Sequence, residues 1–143
     1  MGQKRIPIAD YIGGRLGTRR KARAPTRSHT PGVMNKLERA YADRLELMKA
    51  DGSIHDFWFE PMRIVLAHKT DAARSKTICP DFLVQALDGT LEFHDTKPTK
   101  KDGRPYVTED AHEKMRWLAT TYPFDVFYVY RKKAEGWIKE RVA

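Results

Sequence analysis

The sequence holds one cysteine in 143 residues, Cys79, so no internal disulfide can form. Its five histidines are scattered, with no spacing that would join the cysteine in a zinc site. No run of about 18 uncharged apolar residues occurs, which argues against a membrane-spanning helix. The first residues are basic but carry no apolar stretch of the secretory-signal kind, and a cytoplasmic protein is expected. Acidic residues are nearly missing from one end. Residues 1–30 contain eight Lys and Arg against Asp10 alone, leaving a net charge of only +1 for the rest of a chain whose total is +8. Apolar residues make up 41%, enough for the modest core of one domain and too many for a wholly disordered chain.

The basic segment also contains Gly13, Gly14, Gly17, Pro7 and Pro25, and shows no sustained apolar period. It reads as a flexible arm over 1–32 in front of a nearly neutral domain over 33–143. Such an arm suits a polyphosphate partner, since each neutralised phosphate releases counterions. A solubilising tail is the alternative, and the charge does not distinguish DNA from RNA or an acidic protein.

Within the domain, Leu37, Tyr41, Leu45 and Met48 recur at helical spacing and stop at Asp51-Gly52. Phe57 to Ala67 reads as one strand, with Pro61 marking an edge position or a bulge. Ile78 to Val84 and Leu91 to Lys97 read as two more, joined at the turn signal Asp88-Gly89. Thr108 is an expected N-cap for a helix whose apolar face is Ala111, Met115, Leu118, Ala119 and Tyr122. Phe124 to Tyr130 is nearly all apolar, as in a central strand covered on both faces, and Trp137 to Val142 is a short last strand. The segment 98–107 is polar and reads as an exposed loop. The expected fold is α/β, a small mixed sheet flanked by helices.

The informative residues are charges on apolar faces. Period-two alternation places Leu91, Phe93, Asp95 and Lys97 on one side of their strand, and in the preceding strand Asp81 shares a face with Cys79 and Leu83. An antiparallel pair would bring Asp81 and Asp95 together at one end of the sheet. Converging carboxylates repel and are costly to desolvate, and a divalent cation relieves both effects. Oxygen ligands suit Mg²⁺ or Mn²⁺, and a nearby lysine can orient water or neutralise a phosphate. Taken singly, Asp95 and Lys97 would make a surface ion pair and Asp81 a turn residue. No local motif supports a Cys–His nucleophile. His94 points away from Asp95, packed or facing solvent, and Trp58, Trp117 and Trp137 read as core.

Pro80-Asp81 followed by Asp95-Thr96-Lys97 resembles the PD-(D/E)XK nuclease signature. The surroundings, Asn35-Lys-Leu-Glu-Arg-Ala-Tyr41, Phe59-Glu-Pro61, Cys79 to Val84, Asp88-Gly89 and Glu92 to Lys97, resemble small phage-encoded endonucleases. The layout is similar to Holliday-junction resolvases of the endonuclease I type and to the endonuclease subunit of heteromeric transposases, over roughly 33–131. The resemblance implies a restriction-endonuclease-like fold and Mg²⁺-dependent (or Mn²⁺-dependent) cleavage of DNA, branched DNA above all, by a homodimer. It makes Asp81 and Asp95 the metal-binding acids, with the Thr96 backbone carbonyl as a further ligand, and Lys97 the catalytic lysine.

Glu38 matches a further active-site acid of these families, but it also fits a capping box with Asn35. Lys114 resembles a lysine that touches the scissile phosphate, and otherwise reads as a solvated helix lysine. Glu60 is either a supporting residue or turned outward by Pro61. Arg15, Arg19, Arg20, Lys21, Arg23, Arg27, Lys100 and Lys101 are the expected DNA contacts. The signature usually has Glu where Asp95 stands, one methylene longer. The competing functions are a nucleic-acid-binding protein that keeps a nuclease fold, and a nuclease subunit that needs a partner.

Overall fold

The computed structural model describes residues 29–142; the expected contacts Arg15, Arg19, Arg20, Lys21, Arg23 and Arg27 lie outside them. The chain divides into units 1–30 and 31–143, and the second carries every element that follows.

Helix α1 spans Lys36–Ala50 and starts as its local chemistry dictates. The Asn35 side chain accepts from the amides of Leu37 and Glu38, both at 2.9 Å, and Glu38 Oε2 accepts from the Asn35 amide at 2.7 Å. This reciprocal cap satisfies amides that a helix start otherwise leaves unpaired. Glu38, Tyr41, Ala42 and Leu45 form the buried stripe.

The strands are β1 (Asp56–Phe59), β2 (Ile64–Ala67), β3 (Lys76–Ile78), β4 (Phe82–Gln85), β5 (Leu91–Thr96), β6 (Asp125–Lys132) and β7 (Gly136–Arg141), and α2 spans Glu109–Thr121. Five of them form a sheet in the order β1-β4-β5-β6-β7, and β2 and β3 pair separately. Only β5 and β6 run parallel, and α2 is their crossover. The fold is thus a mixed α/β arrangement of a five-stranded sheet, a two-stranded sheet and two helices. Among the described residues no helix is long and apolar enough to cross a membrane.

Two expected strands are each broken in two. Phe57 to Ala67 divides between β1 and β2, and Ile78 to Val84 divides between β3 and β4. The pairing explains both breaks. Phe59 lies opposite Phe82 in one sheet and Ile64 opposite Ile78 in the other, so the four pieces are one long antiparallel ribbon bent at a corner. Pro61 and Pro80 lack the amide that a ladder needs, and both stand at the corner. Glu60 there adopts φ 42°, and its amide donates to the Asp81 carbonyl at 2.7 Å.

The turn from β4 to β5 closes with the Gly89 amide on the Ala86 carbonyl at 3.0 Å, and Gly89 takes φ 88°, where a side chain would be strained.

Alternation sends Phe82 and Val84 toward α1, packed with Tyr41, Leu45, Ile54 and Val129. It sends Leu83 and Phe93 to the opposite face, against Met115 and Leu118 of α2 and Ile64 of β2. Strand β6 serves both layers, Val126 and Tyr128 on one side and Val129 on the other, which is why Val126–Tyr130 is continuously buried. The middle of the sheet, however, is β5 rather than β6. Trp58, expected in the core, is 42% exposed because β1 is an edge strand and the bend leaves this side of it uncovered.

Candidate active site

The corner of the ribbon and the end of β5 bring the charged residues together. Pairing of Phe82 with His94, continued by one residue, sets Asp81 opposite Asp95. Asp81 Oδ2 accepts from both the amide and the hydroxyl of Thr96, each at 2.7 Å. Asp95 follows Phe93 on the α2-facing side and is 8% exposed. Its Oδ2 lies 2.5 Å from Lys97 Nζ in a largely buried ion pair. Asp95 and Lys97 line a cavity of about 240 Å³ with Cys79, Lys114 and Met115.

This environment opposes ionisation. Burial and then the neighbouring Asp95 charge raise the Asp81 carboxyl to about 7, against the Thr96 hydrogen bonds, and Glu38 adds to the rise. Burial also raises Asp95, with Lys97 opposing. Two carboxylates held this way titrate as a pair and hold negative charge at a cost. Glu38 is buried in the capping box expected with Asn35, and its charge adds to the rise at Asp81.

Lys114 lies at the cavity and pairs with Asp110 at 3.1 Å. The Glu60 carboxylate accepts from the Gly32 amide at 2.7 Å, and its main-chain amide donates to the Asp81 carbonyl. Lys100 and Lys101 line a different cleft. Cys79 borders the cavity, where burial raises its thiol pKa, and no histidine lines that cavity.

A polar chain on the opposite face of β5 is not evident in the sequence. The Tyr41 hydroxyl lies 2.6 Å from His94 Nδ1, His94 Nε2 lies 2.8 Å from Glu92, and Glu92 accepts from Lys139 at 2.9 Å. Burial lowers the His94 pKa, and the His94 hydrogen bond draws Glu92 down to about 2. A neutral imidazole that donates from Nε2 to Glu92 and accepts the Tyr41 proton at Nδ1 satisfies every partner. The link ties α1 to β5 one turn beyond Glu38. Tyr41→Phe leaves a buried nitrogen without its donor, and urea denaturation should show a loss of about 1–3 kcal/mol. The only hint in the sequence is Glu92 and His94 two apart on the face opposite Asp95.

Asp81 and Asp95, opposite each other at the adjoining ends of β4 and β5, are oxygen donors of the kind a hard cation takes. Mg²⁺ characteristically takes one or two carboxylates and keeps several waters. Among the described residues no three or more His, Cys, Asp or Glu side chains gather as a metal cage. Comparison of the chain with protein-family models, curated proteins and solved structures finds no match.

Proposed function

We propose that the protein is a metal-dependent DNA endonuclease of restriction-endonuclease-like fold, selective for branched DNA of the Holliday-junction type and acting as a homodimer in the cytoplasm. The observation that carries the proposal is the pair of half-buried Asp81 and buried Asp95, brought opposite each other by the β4–β5 register against their repulsion, with the Lys97 ammonium at Asp95. A site that keeps two carboxylates where both resist ionisation is suited to a cation that offsets their charge.

Asp81, Asp95 and the Thr96 carbonyl would hold Mg²⁺ or Mn²⁺, which supplies positive charge against the phosphate. Thr96 fixes the Asp81 carboxylate through its amide and hydroxyl, so that acid is oriented before any ligand arrives. Lys97 orients the attacking water or neutralises charge developing on phosphorus. Lys114, across the same cavity, is placed to meet a phosphate oxygen. Glu38 adds a negative charge that raises the Asp81 carboxyl further, a repulsion that a bound cation would offset. The preference for junctions rests on the resemblance of Pro80-Asp81 and Asp95-Thr96-Lys97 to the nuclease signature, and two-fold symmetric cutting would require a dimer.

One observation favours a second reading, a nuclease subunit that a partner completes: Asp95 is occupied by its own lysine and no third acid joins the pair among the described residues.

The test is an immobile four-way junction and its matched linear duplex, each incubated with the protein in Mg²⁺ or EDTA. Paired nicks on the junction alone, abolished by EDTA, are expected. Equal cutting of both substrates removes the junction preference. Binding without cutting in Mg²⁺ or Mn²⁺ overturns autonomous catalysis and leaves the partner-dependent reading.

A further inference from the structure

The largest concavity among those described lies beyond the acid pair. It is a cleft of about 700 Å³ between the tip of the 98–106 hairpin and the turn from β6 to β7. Five cations line it, Lys100, Lys101, Arg131, Lys132 and Lys133, against Asp102 and Glu135.

The two acids are engaged. Asp102 pairs with Arg104 at 3.2 Å, and Glu135 lies 3.8 Å from Lys132. Lys100 sits over the Tyr106 ring at 5.9 Å and Arg131 over Trp137 at 6.0 Å. Lys101 and Lys133 are exposed and have no carboxylate partner among the described residues. A concave surface that keeps several unneutralised cations tolerates repulsion that an anion would remove.

Both walls are held in place. The 98–106 hairpin is closed by the Lys100 amide on the Arg104 carbonyl and the Tyr106 amide on the Pro98 carbonyl, both at 2.7 Å. The Thr99 hydroxyl donates to the Arg131 carbonyl at 2.8 Å, fastening one wall to the other. Just before it, the Lys97 amide donates to the Val129 carbonyl at 2.9 Å, so the same seam runs from the acid site into the cleft. Four residues of extended chain, at most roughly 13 Å, separate Lys97 from Lys101 and Val129 from Lys133. A duplex strand offers a phosphate about every 3.4 Å of helix axis.

We infer that this cleft grips the sugar–phosphate backbone of the DNA strand being cut, up to about four nucleotides from the scissile phosphate, with Lys101 and Lys133 as its principal contacts. The inference rests on the nuclease reading and adds to it the path the strand takes away from Asp95. It also extends the expected contacts Lys100 and Lys101 to a second wall, Arg131 to Lys133, that carries no signature in the sequence.

The test measures binding of the full-length chain to a labelled duplex in EDTA, by fluorescence anisotropy between 50 and 200 mM salt. The wild type is compared with Lys101→Gln/Lys133→Gln and with Lys69→Gln/Arg74→Gln, which removes two cations from the exposed β2–β3 connection. Losing two phosphate contacts should reduce the slope of log K on log salt by about 1.8, so that affinity lost over this range shrinks about twelve-fold. The comparison pair should leave the slope unchanged.

An unaltered slope in the cleft variant, or an equal fall in both variants, overturns the proposal. An unlabelled mononucleotide should compete no better than its ionic strength predicts; strong competition would make the cleft a nucleotide site and defeat the strand assignment. Nicking of the junction by the wild type in Mg²⁺, run in parallel, separates the two claims. A protein that fails to nick but shows the slope change loses autonomous cutting and keeps the cleft as a backbone-binding surface.

Discussion

Asp95→Ala should lower the rate of metal-dependent nicking by roughly 10³-fold or more, about 4 kcal/mol of transition-state stabilisation. Asp95 is the buried acid beside Asp81 and the partner that holds Lys97. Its removal takes away one of two candidate carboxylate ligands and frees the ammonium at the same time. Lys97→Ala should cost a comparable factor in rate while leaving both acids in place. Thermal unfolding distinguishes the two: added Mg²⁺ should still raise the Tm of Lys97→Ala and should no longer raise that of Asp95→Ala, since only an ion that binds the folded state stabilises it. Nicking by Asp95→Ala within ten-fold of the wild type would remove this residue from the chemistry.

Asp81→Asn should make the protein more stable at neutral pH while abolishing cutting. Burial and Asp95 raise the Asp81 carboxyl from the ordinary range near 4 to about 7, so the native chain binds more protons than the unfolded one between those values. Stability therefore falls as pH rises through that window, and the penalty is fully present above it. Asparagine keeps an oxygen for the Thr96 amide and hydroxyl and discards the charge. In EDTA the variant should gain on the order of 2 kcal/mol over the wild type at pH 7.5, and the gain should shrink toward zero near pH 4. Urea denaturation at the two pH values measures it. An Asn variant that is less stable at both would mean that the pair is held at no electrostatic cost.

Local signals were legible in the chain. Asn35 with Glu38, Asp88-Gly89 and Thr108 each act within a few residues, and each caps or turns as its chemistry requires. The alternation of β5, which puts Asp95 on the face of Phe93, was equally plain. The bend of the ribbon was not. Phe57 to Ala67 is rich in strand-forming residues on both sides of Pro61, and nothing local says that its second half leaves the sheet to pair with Lys76–Ile78 over α2. The prolines marked the corner without revealing its direction. The contact of Tyr41 with His94 spans 53 residues of sequence, and the second wall of the basic cleft meets the first only because β5 and β6 are parallel neighbours.

That parallel pairing has a consequence for the order of events on the ribosome. Strand β5 lies in the middle of the sheet, yet one of its two neighbours is synthesised only after the 28 residues from Lys97 to Phe124 have been added. Until α2 and β6 emerge, the strand bearing Asp95 has a bare edge, Phe93 lacks the cover of Met115 and Leu118, and the Lys97 amide has no Val129 carbonyl to bind. The acid pair therefore gains its full scaffold only once β6 is made, and a chain terminated before that strand carries Asp81 and Asp95 without it. For an agent that would break DNA, such late assembly confines the hazard to chains extended past β6.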